Sequence, residues 1–241
     1  MPDATQLVTR SVDRWTSSAT RRWSSMTEKF FADTNLWLER LLDALSPASC
    51  AACAGPRAGK PPFCVTCGEP APLAPCSLAG VPLVVGGAYQ APLEPAILRF
   101  KFGGHSELAR DLGRLLAARL RPFGLKNVDF VPVPLHHARL VERGYNQSAL
   151  LSRWLARSLG GRSFPRALER VRSTEQQARL GRAARMDNVS DAFRAAPSGV
   201  PPRVVLVDDV VTTGATARAC LKVLLRAGSE VILVAALARA G

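Results

Sequence analysis

The stretch RVVLVDDVVTTGATARACLKVLLRAG, residues 203–228, restricts what this chain can become more than any other part of it. Val204 to Val207 read as a buried strand. The run ends in two adjacent acids, Asp208 and Asp209, followed by a loop of small residues, Thr212 to Thr216. Apolar residues at helical spacing then predict a helix over Thr216–Ala227, closed by Gly228. A strand, a loop of small residues and a helix, in that order, form the half-unit of an α/β sheet.

The rest of the chain repeats that alternation. VPLVVGGAY (81–89) reads as a strand, and Leu93–Phe102 and Glu107–Leu120 as helices. VDFVPVP (128–134) reads as a strand halted by prolines, Asn146–Leu159 as a helix and Glu230–Ala236 as a strand. Strands alternating with helices predict an α/β fold with a parallel sheet. Upstream, residues 1–33 are rich in Ser, Thr and Arg without steady periodicity and are expected to be a poorly ordered extension. Phe31, Thr34, Trp37, Leu38, Leu41, Leu42 and Leu45 recur at helical spacing, with Thr34 or Asn35 as cap and Ser46-Pro47 as stop. That apolar stripe suits packing on the protein's own domain or a membrane surface. Glu39 and Asp43 favour the first. The expected organisation is an extension over 1–33, a helix and cysteine module over 34–80, and an α/β domain over 81–241.

At the carboxyl end of a strand, a small-residue loop entering a helix offers free N–H groups and a favourable dipole to a phosphate. Thr212, Thr213 and Thr216 add hydroxyls, while Gly214 and Ala215 let the backbone close around the anion. Carboxylates beside a phosphate repel it unless they accept hydroxyl hydrogen bonds or hold a cation. Asp208 and Asp209 therefore point to a polyol, Mg2+, or both, and the implied ligand is a sugar phosphate. Two alternatives are weaker. The Mg2+-binding strand of a P-loop ATPase lacks its G-x4-G-K-[S/T] partner here, and a plain helix-capping acid pair leaves the T-T-G-A-T loop unexplained.

Cys50, Cys53, Cys64 and Cys67 form C-x2-C-x10-C-x2-C, spacing that places four thiolates around one tetrahedral Zn2+. Gly68 eases the second turn. A four-cysteine site is closed, so its zinc would be structural. The other reading is two disulfides or reactive thiols. Cys76 has no such partner and reads as a remnant of a second knuckle or a small apolar residue. No apolar run approaches the roughly 20 residues that span a bilayer, and the N-terminus lacks a compact charged-then-apolar signal. A cytoplasmic location is the expectation, and a reducing compartment favours metal over disulfides.

The formal charge of +13 predicts a phosphorylated partner. The excess is regional: residues 1–46 hold six Lys/Arg and six Asp/Glu, whereas Arg139–Arg194 carries twelve Arg against five acids.

The acid pair and its loop, Asp208 to Thr216, resemble the ribose-5-phosphate motif of type I phosphoribosyltransferases, which bind phosphoribosyl pyrophosphate (PRPP). ILRFKFGG (97–104), PVPLHHARLVERGYNQSALL (132–151) and the spaced set Thr174, Gln177, Leu180, Arg185, Asn188 and Val189 narrow the resemblance to the ComF (competence protein F) family. With the cysteine pairs it spans roughly residues 37–238. It implies a type I phosphoribosyltransferase-like parallel sheet flanked by helices and preceded by a small four-cysteine zinc-ribbon module. It also implies that Asp208 and Asp209 address the ribose hydroxyls with Mg2+ nearby, and that Thr212, Thr213, Gly214, Ala215 and Thr216 cradle the 5-phosphate. Val133 to Leu135 would stand at the pyrophosphate loop. Lys101, Arg143, Asn146 and Gln147 would meet pyrophosphate or the second substrate, the alternative for these four being solvation or loop packing. His105, His136 and His137 read as polar loop residues, His136 or His137 near the pyrophosphate.

Any turnover would displace pyrophosphate from C1 of the ribose with no protein nucleophile, and no Ser-His-Asp or Cys-His set is evident. Two function classes follow. One is a PRPP-binding protein or enzyme of phosphoribosyltransferase type. The other, implied by the family's link to natural competence, is a factor that handles single-stranded DNA with helicase-like partners, its arginines suiting phosphate contact. Aromatic residues for base stacking are sparse in the basic region.

Overall fold

The computed structural model describes residues 49–59, 61–171 and 192–240. The expected N-terminal extension, the helix over the Phe31–Leu45 stripe and the block from Thr174 to Val189 lie outside the described residues.

The strands are β1 (Cys76–Leu78), β2 (Val81–Ala88), β3 (Asp129–Pro132), β4 (Leu168–Arg170), β5 (Phe193–Ala195), β6 (Arg203–Val211) and β7 (Glu230–Arg239). Five of them form one sheet in the order β1-β2-β7-β6-β3, while β4 and β5 pair as a separate antiparallel ribbon. The β2–β7, β7–β6 and β6–β3 pairings are parallel, as the alternation predicts, and β1 adds an antiparallel edge. Pro132 is tolerated in β3 because β3 is the opposite edge strand, where no further ladder needs its missing N–H. Cys76 belongs to β1, not to a knuckle: its Sγ donates to the Leu83 carbonyl at 3.8 Å.

The strand that carries the acid pair is longer than its apolar run. β6 continues through Asp208 and Asp209 to Val211 because β7 reaches Arg239 and keeps pairing with it, with Asp208 opposite Ala236 and Val210 opposite Ala238. The acids thus stand within a strand and not in the loop that follows it. Val205 and Val207 face one core and Val204 and Leu206 the other, all four fully buried.

Among the described residues the α-helices are α1 (Leu93–Phe102), α2 (Leu108–Leu120), α3 (His137–Arg143), α4 (Gln147–Leu159) and α5 (Ala215–Arg226). The buried residues of α1, α2 and α4 pack on the face of Val205 and Val207. Those of α5 and the β4–β5 ribbon pack on the face of Val204 and Leu206. Amphipathic spacing explains α4, where Leu151 and Leu155 are fully buried while Arg153 is exposed. The cysteine segment joins the first core, since Cys50, Ala51, Ala52 and Phe63 are buried with Leu93, Ala96 and Ile97 of α1. None of the described helices is long and apolar enough to cross a membrane.

Candidate sugar-phosphate cleft and metal knuckle

The cysteine pairs meet in space. One sulfur from each of Cys50, Cys53, Cys64 and Cys67 lies within 4.8 Å of the others, and none is disulfide-bonded. Each pair closes a turn: Ala54 N–H donates to Cys50 O at 2.9 Å, and Gly68 N–H to Cys64 O at 3.0 Å, with Gly68 at φ 69°. Burial opposes the Cys50 thiolate, but hydrogen bonds from the backbone of Cys53, Cys64 and Ala52 prevail and bring its pKa to about 6. The sulfurs of Cys53 and Cys64, with burial behind them, push Cys67 up to about 12. Four thiolates so close need a cation among them. The set of four soft sulfurs fits a single tetrahedral metal ion such as Zn2+, closed to substrate.

The knuckle is anchored by arginines. Arg57 pairs with Asp111 of α2 at 2.5 Å with both side chains buried, and also donates to the carbonyls of Ser49 and Pro61. Arg99 of α1 donates to Cys50 O at 3.0 Å and Ala51 O at 2.8 Å.

A second cleft, of about 300 Å³, opens at the carboxyl ends of β3 and β6. Asp208, Asp209, Thr212 and Thr216 line it with Lys101, Arg143, Asn146, Gln147 and the Val133–Leu135 loop. Thr213, Gly214 and Ala215 are not among its lining residues; they make the turn that shapes it. Gly214 is the N-cap of α5 at φ 75°, and a Cβ there would collide with Leu78 Cδ1. No side chain caps that helix, so α5 keeps donors at its first turn. Thr213 Oγ1 accepts only weakly from Ala215 N–H at 3.4 Å.

The two acids differ in burial and in partners. Asp208 is 8% exposed, and its Oδ1 accepts from Asp209 N–H at 2.8 Å and from Ser148 Oγ at 3.3 Å. Burial, then the Asp209 charge, pushes its pKa up to about 7. Asp209 pairs with Lys101 Nζ at 3.0 Å. Lys101, expected at pyrophosphate or the second substrate, therefore stands on the acid pair in this structure.

Asn146 and Gln147 hold the scaffold. Asn146 caps α4 through Ala149 N–H and donates to Val133 O at 3.0 Å, fixing the loop expected to meet pyrophosphate. Gln147 Nε2 lies 3.5 Å from Phe100 O. Arg143 stacks its guanidinium 4.8 Å from the Phe102 ring centre, and its buried Nε has no partner among the described residues. The histidines stay out of the cleft lining: His136 caps α3 and His105 pairs with Glu107.

Relatives in sequence match this architecture across most of its length. Competence protein F of Haemophilus influenzae is 40% identical over 167 residues, 66% of this chain and 72% of that protein. DNA utilization protein YhgH of Escherichia coli K12 is 36% identical over 217 residues, 84% of this chain and 96% of that protein. The chain belongs to the competence protein F family. Competence protein ComFC of Streptococcus pneumoniae is a more distant relative, 27% identical over 151 residues, 63% of this chain and 65% of that protein. No family model matches. Among solved structures, TT1426 from Thermus thermophilus superposes with a TM-score of 0.34 at 24% identity over 53% of this chain and 72% of that one. Adenine phosphoribosyltransferase from Leishmania tarentolae gives 0.35 at 16% identity over 62% and 76%.

In this competence protein F homologue the cleft also recruits Tyr89, Arg139, Ser148 and Arg170, which motif reading passes over. Arg139 and Ser148 lie inside the PVPLHHARLVERGYNQSALL block and were open to assignment. Arg170 had no sequence signal. It arrives on the β4–β5 ribbon, where burial and then the charge of Arg139 depress its pKa.

Proposed function

We propose that the cleft binds PRPP, or a closely related sugar phosphate, and that this family member is a phosphoribosyltransferase-like protein acting in the cytoplasm in competence and DNA uptake. One observation carries the reading: an acid pair within a strand, a glycine turn into a helix and a cluster of cations meet at a single cleft. In it Asp208 and Asp209 accept from the ribose 2′ and 3′ hydroxyls. Thr212, Thr213, Gly214, Ala215 and Thr216 hold the 5-phosphate through hydroxyls and the first-turn N–H groups of α5. Arg139, Arg143 and Arg170 face the pyrophosphate, taking the place of the lysine that the PVPLHH loop lacks.

The carboxylate oxygens of Asp208 and Asp209 suit Mg2+ brought in with PRPP, which would supply charge neutralisation at the leaving group. The reaction such a site supports forms a bond from an acceptor atom to C1 of the ribose and breaks the C1–O bond. The electron pair leaves with pyrophosphate, whose charge the arginines stabilise. Fixing the sugar at both ends supplies orientation without a protein nucleophile. At the knuckle, Cys50, Cys53, Cys64 and Cys67 hold structural Zn2+.

Calorimetry with PRPP and Mg2+ tests the cleft. Binding is expected in the wild type and a loss of about 100-fold or more in Asp208→Asn/Asp209→Asn, as two hydrogen-bonding anchors disappear. Equal affinity in the double variant would remove the site.

A second reading is favoured by the names of the relatives, competence and DNA utilization proteins: single-stranded DNA, with a helicase-like partner, contacts the basic surface. Its affinity should drop steeply with salt through counterion release. A flat salt response speaks against that contact.

A further inference from the structure

The helix α1 stands between the two sites, and three consecutive residues of it are engaged in different directions. Arg99 Nη1 donates to Cys50 O and Ala51 O at 3.0 and 2.8 Å. The Phe100 carbonyl accepts from Tyr145 Oη at 2.6 Å, with Gln147 Nε2 at 3.5 Å, and the Phe100 ring is fully buried. Lys101 Nζ pairs with Asp209 at 3.0 Å. The two carbonyls that Arg99 grips belong to the first cysteine pair. They are positioned by Cys50 itself within the four-sulfur cluster, and by Cys50 N–H to Gly55 O and Ala51 N–H to Pro62 O, each 2.8 Å. A helix is stiff over so few residues, rising about 1.5 Å at each. A displacement of Cys50 therefore reaches Lys101 within two residues of the arginine that reports it.

We infer that Arg99 is a positioning residue for the cleft: it ties α1 to the backbone of the cysteine knuckle, so that a metal ion on the four sulfurs and a ligand on Asp208 and Asp209 strengthen each other's binding. This rests on the reading of the cleft as a PRPP site. The physical route is short. Cys50 and Cys53 would hold the ion with Cys64 and Cys67, which would fix the turn whose two carbonyls Arg99 grips; Arg99 seats α1, and α1 places Lys101 against Asp209 and Phe100 O against Tyr145 and the start of α4. Arg99 touches neither ligand nor ion. Linkage makes the coupling reciprocal, so the cleft ligand must also retain the ion.

The test uses the full-length, zinc-loaded chain with PRPP and Mg2+. Zinc release to a chromogenic chelator is timed with and without PRPP, and PRPP affinity is measured by calorimetry in wild type, Arg99→Gln and Arg99→Lys. PRPP is expected to slow zinc release from the wild type about tenfold, within the usual range of coupling between sites. Arg99→Gln should keep its zinc, bind PRPP about tenfold more weakly and lose the effect of PRPP on zinc release. Arg99→Lys, which retains the charge and a donor nitrogen without the guanidinium fork, should recover part of both.

Unaltered zinc release from the wild type on saturation with PRPP overturns the coupling without any variant. So does a zinc-loaded Arg99→Gln with wild-type affinity. If Arg99→Gln does not fold, Arg99→Lys decides: several-fold weaker binding supports the role, and unchanged binding overturns it. A wild type that fails to bind PRPP at all removes the reading of the cleft as well, whereas binding that ignores Arg99 removes only the coupling.

Discussion

The four sulfurs of the knuckle come from the 18 residues between Cys50 and Cys67, whereas the cleft draws Tyr89, Lys101, Val133, Asn146, Arg170 and Asp208 from six separated segments. The knuckle is a local device. Its turns are closed by its own backbone, and its four close sulfurs are arranged as a single metal ion would need them. The cleft is the opposite case: its geometry is a by-product of sheet order, with β6 between β7 and β3, α5 behind it and α1 and α4 in front. A local site fails when its ion leaves. A dispersed one survives the loss of a single side chain as a fold, and changes only what it binds. The contrast is sharpened by a shared core, because Cys50, Ala51 and Phe63 pack with Leu93 and Ile97 rather than in a core of their own.

The largest expected effect lies at the knuckle. Cys67→Ser removes a metal ligand and the folding free energy linked to the ion, so zinc should be lost and thermal unfolding should occur about 10 °C lower or more. Scanning calorimetry with a zinc assay checks this, and an unchanged melting temperature would mean that the knuckle contributes nothing to the core it enters.

The cleft acids should respond with the opposite sign. Asp208 has its folded pKa raised from 3.8 to about 7, so the folded state holds its proton more tightly than the unfolded state does. For an acid shifted this way the native state is favoured below about pH 4. Stability is lost as pH rises toward 7, after which the penalty is constant. Asp208→Asn removes that penalty. It should be more stable than wild type by roughly 2–4 kcal/mol at pH 7 and by little at pH 4, while PRPP binding weakens. Denaturant titrations at the two pH values measure the difference. A variant less stable at pH 7 than wild type would break the contrast between a site that stabilises the fold and one that strains it.

The smallest of the three concerns the turn. Gly214→Ala places a Cβ at a left-handed φ of 75° and against Leu78 of β1. A loss of about 1–3 kcal/mol is expected by denaturation, together with weaker PRPP binding as the first turn of α5 shifts. Loss of stability without loss of affinity would confine Gly214 to a scaffold role.

Much of this molecule was legible beforehand, for reasons that differ by region. The helices over 93–102, 107–120 and 146–159 were visible because each buries one stripe, and period 3.6 survives in sequence. The cysteine spacing was legible because metal geometry demands short, regular steps. The ends of β6 and β7 were misplaced, since both strands outlast their apolar runs through mutual pairing. The short α3, the edge strand β1 and the β4–β5 ribbon escaped notice, being three to seven residues long and too brief to show a period.

Sequence alone determined the α/β class, the four-cysteine cluster and the acid–loop–helix unit, because each is encoded by neighbours along the chain. Only the tertiary structure decided that Asp208 is buried against Ser148, that Lys101 stands on Asp209, that Arg170 reaches the cleft and that Arg99 holds the knuckle. Those arrangements depend on which strands lie side by side and which helix covers them, and pairings between distant segments leave no local period or spacing to read.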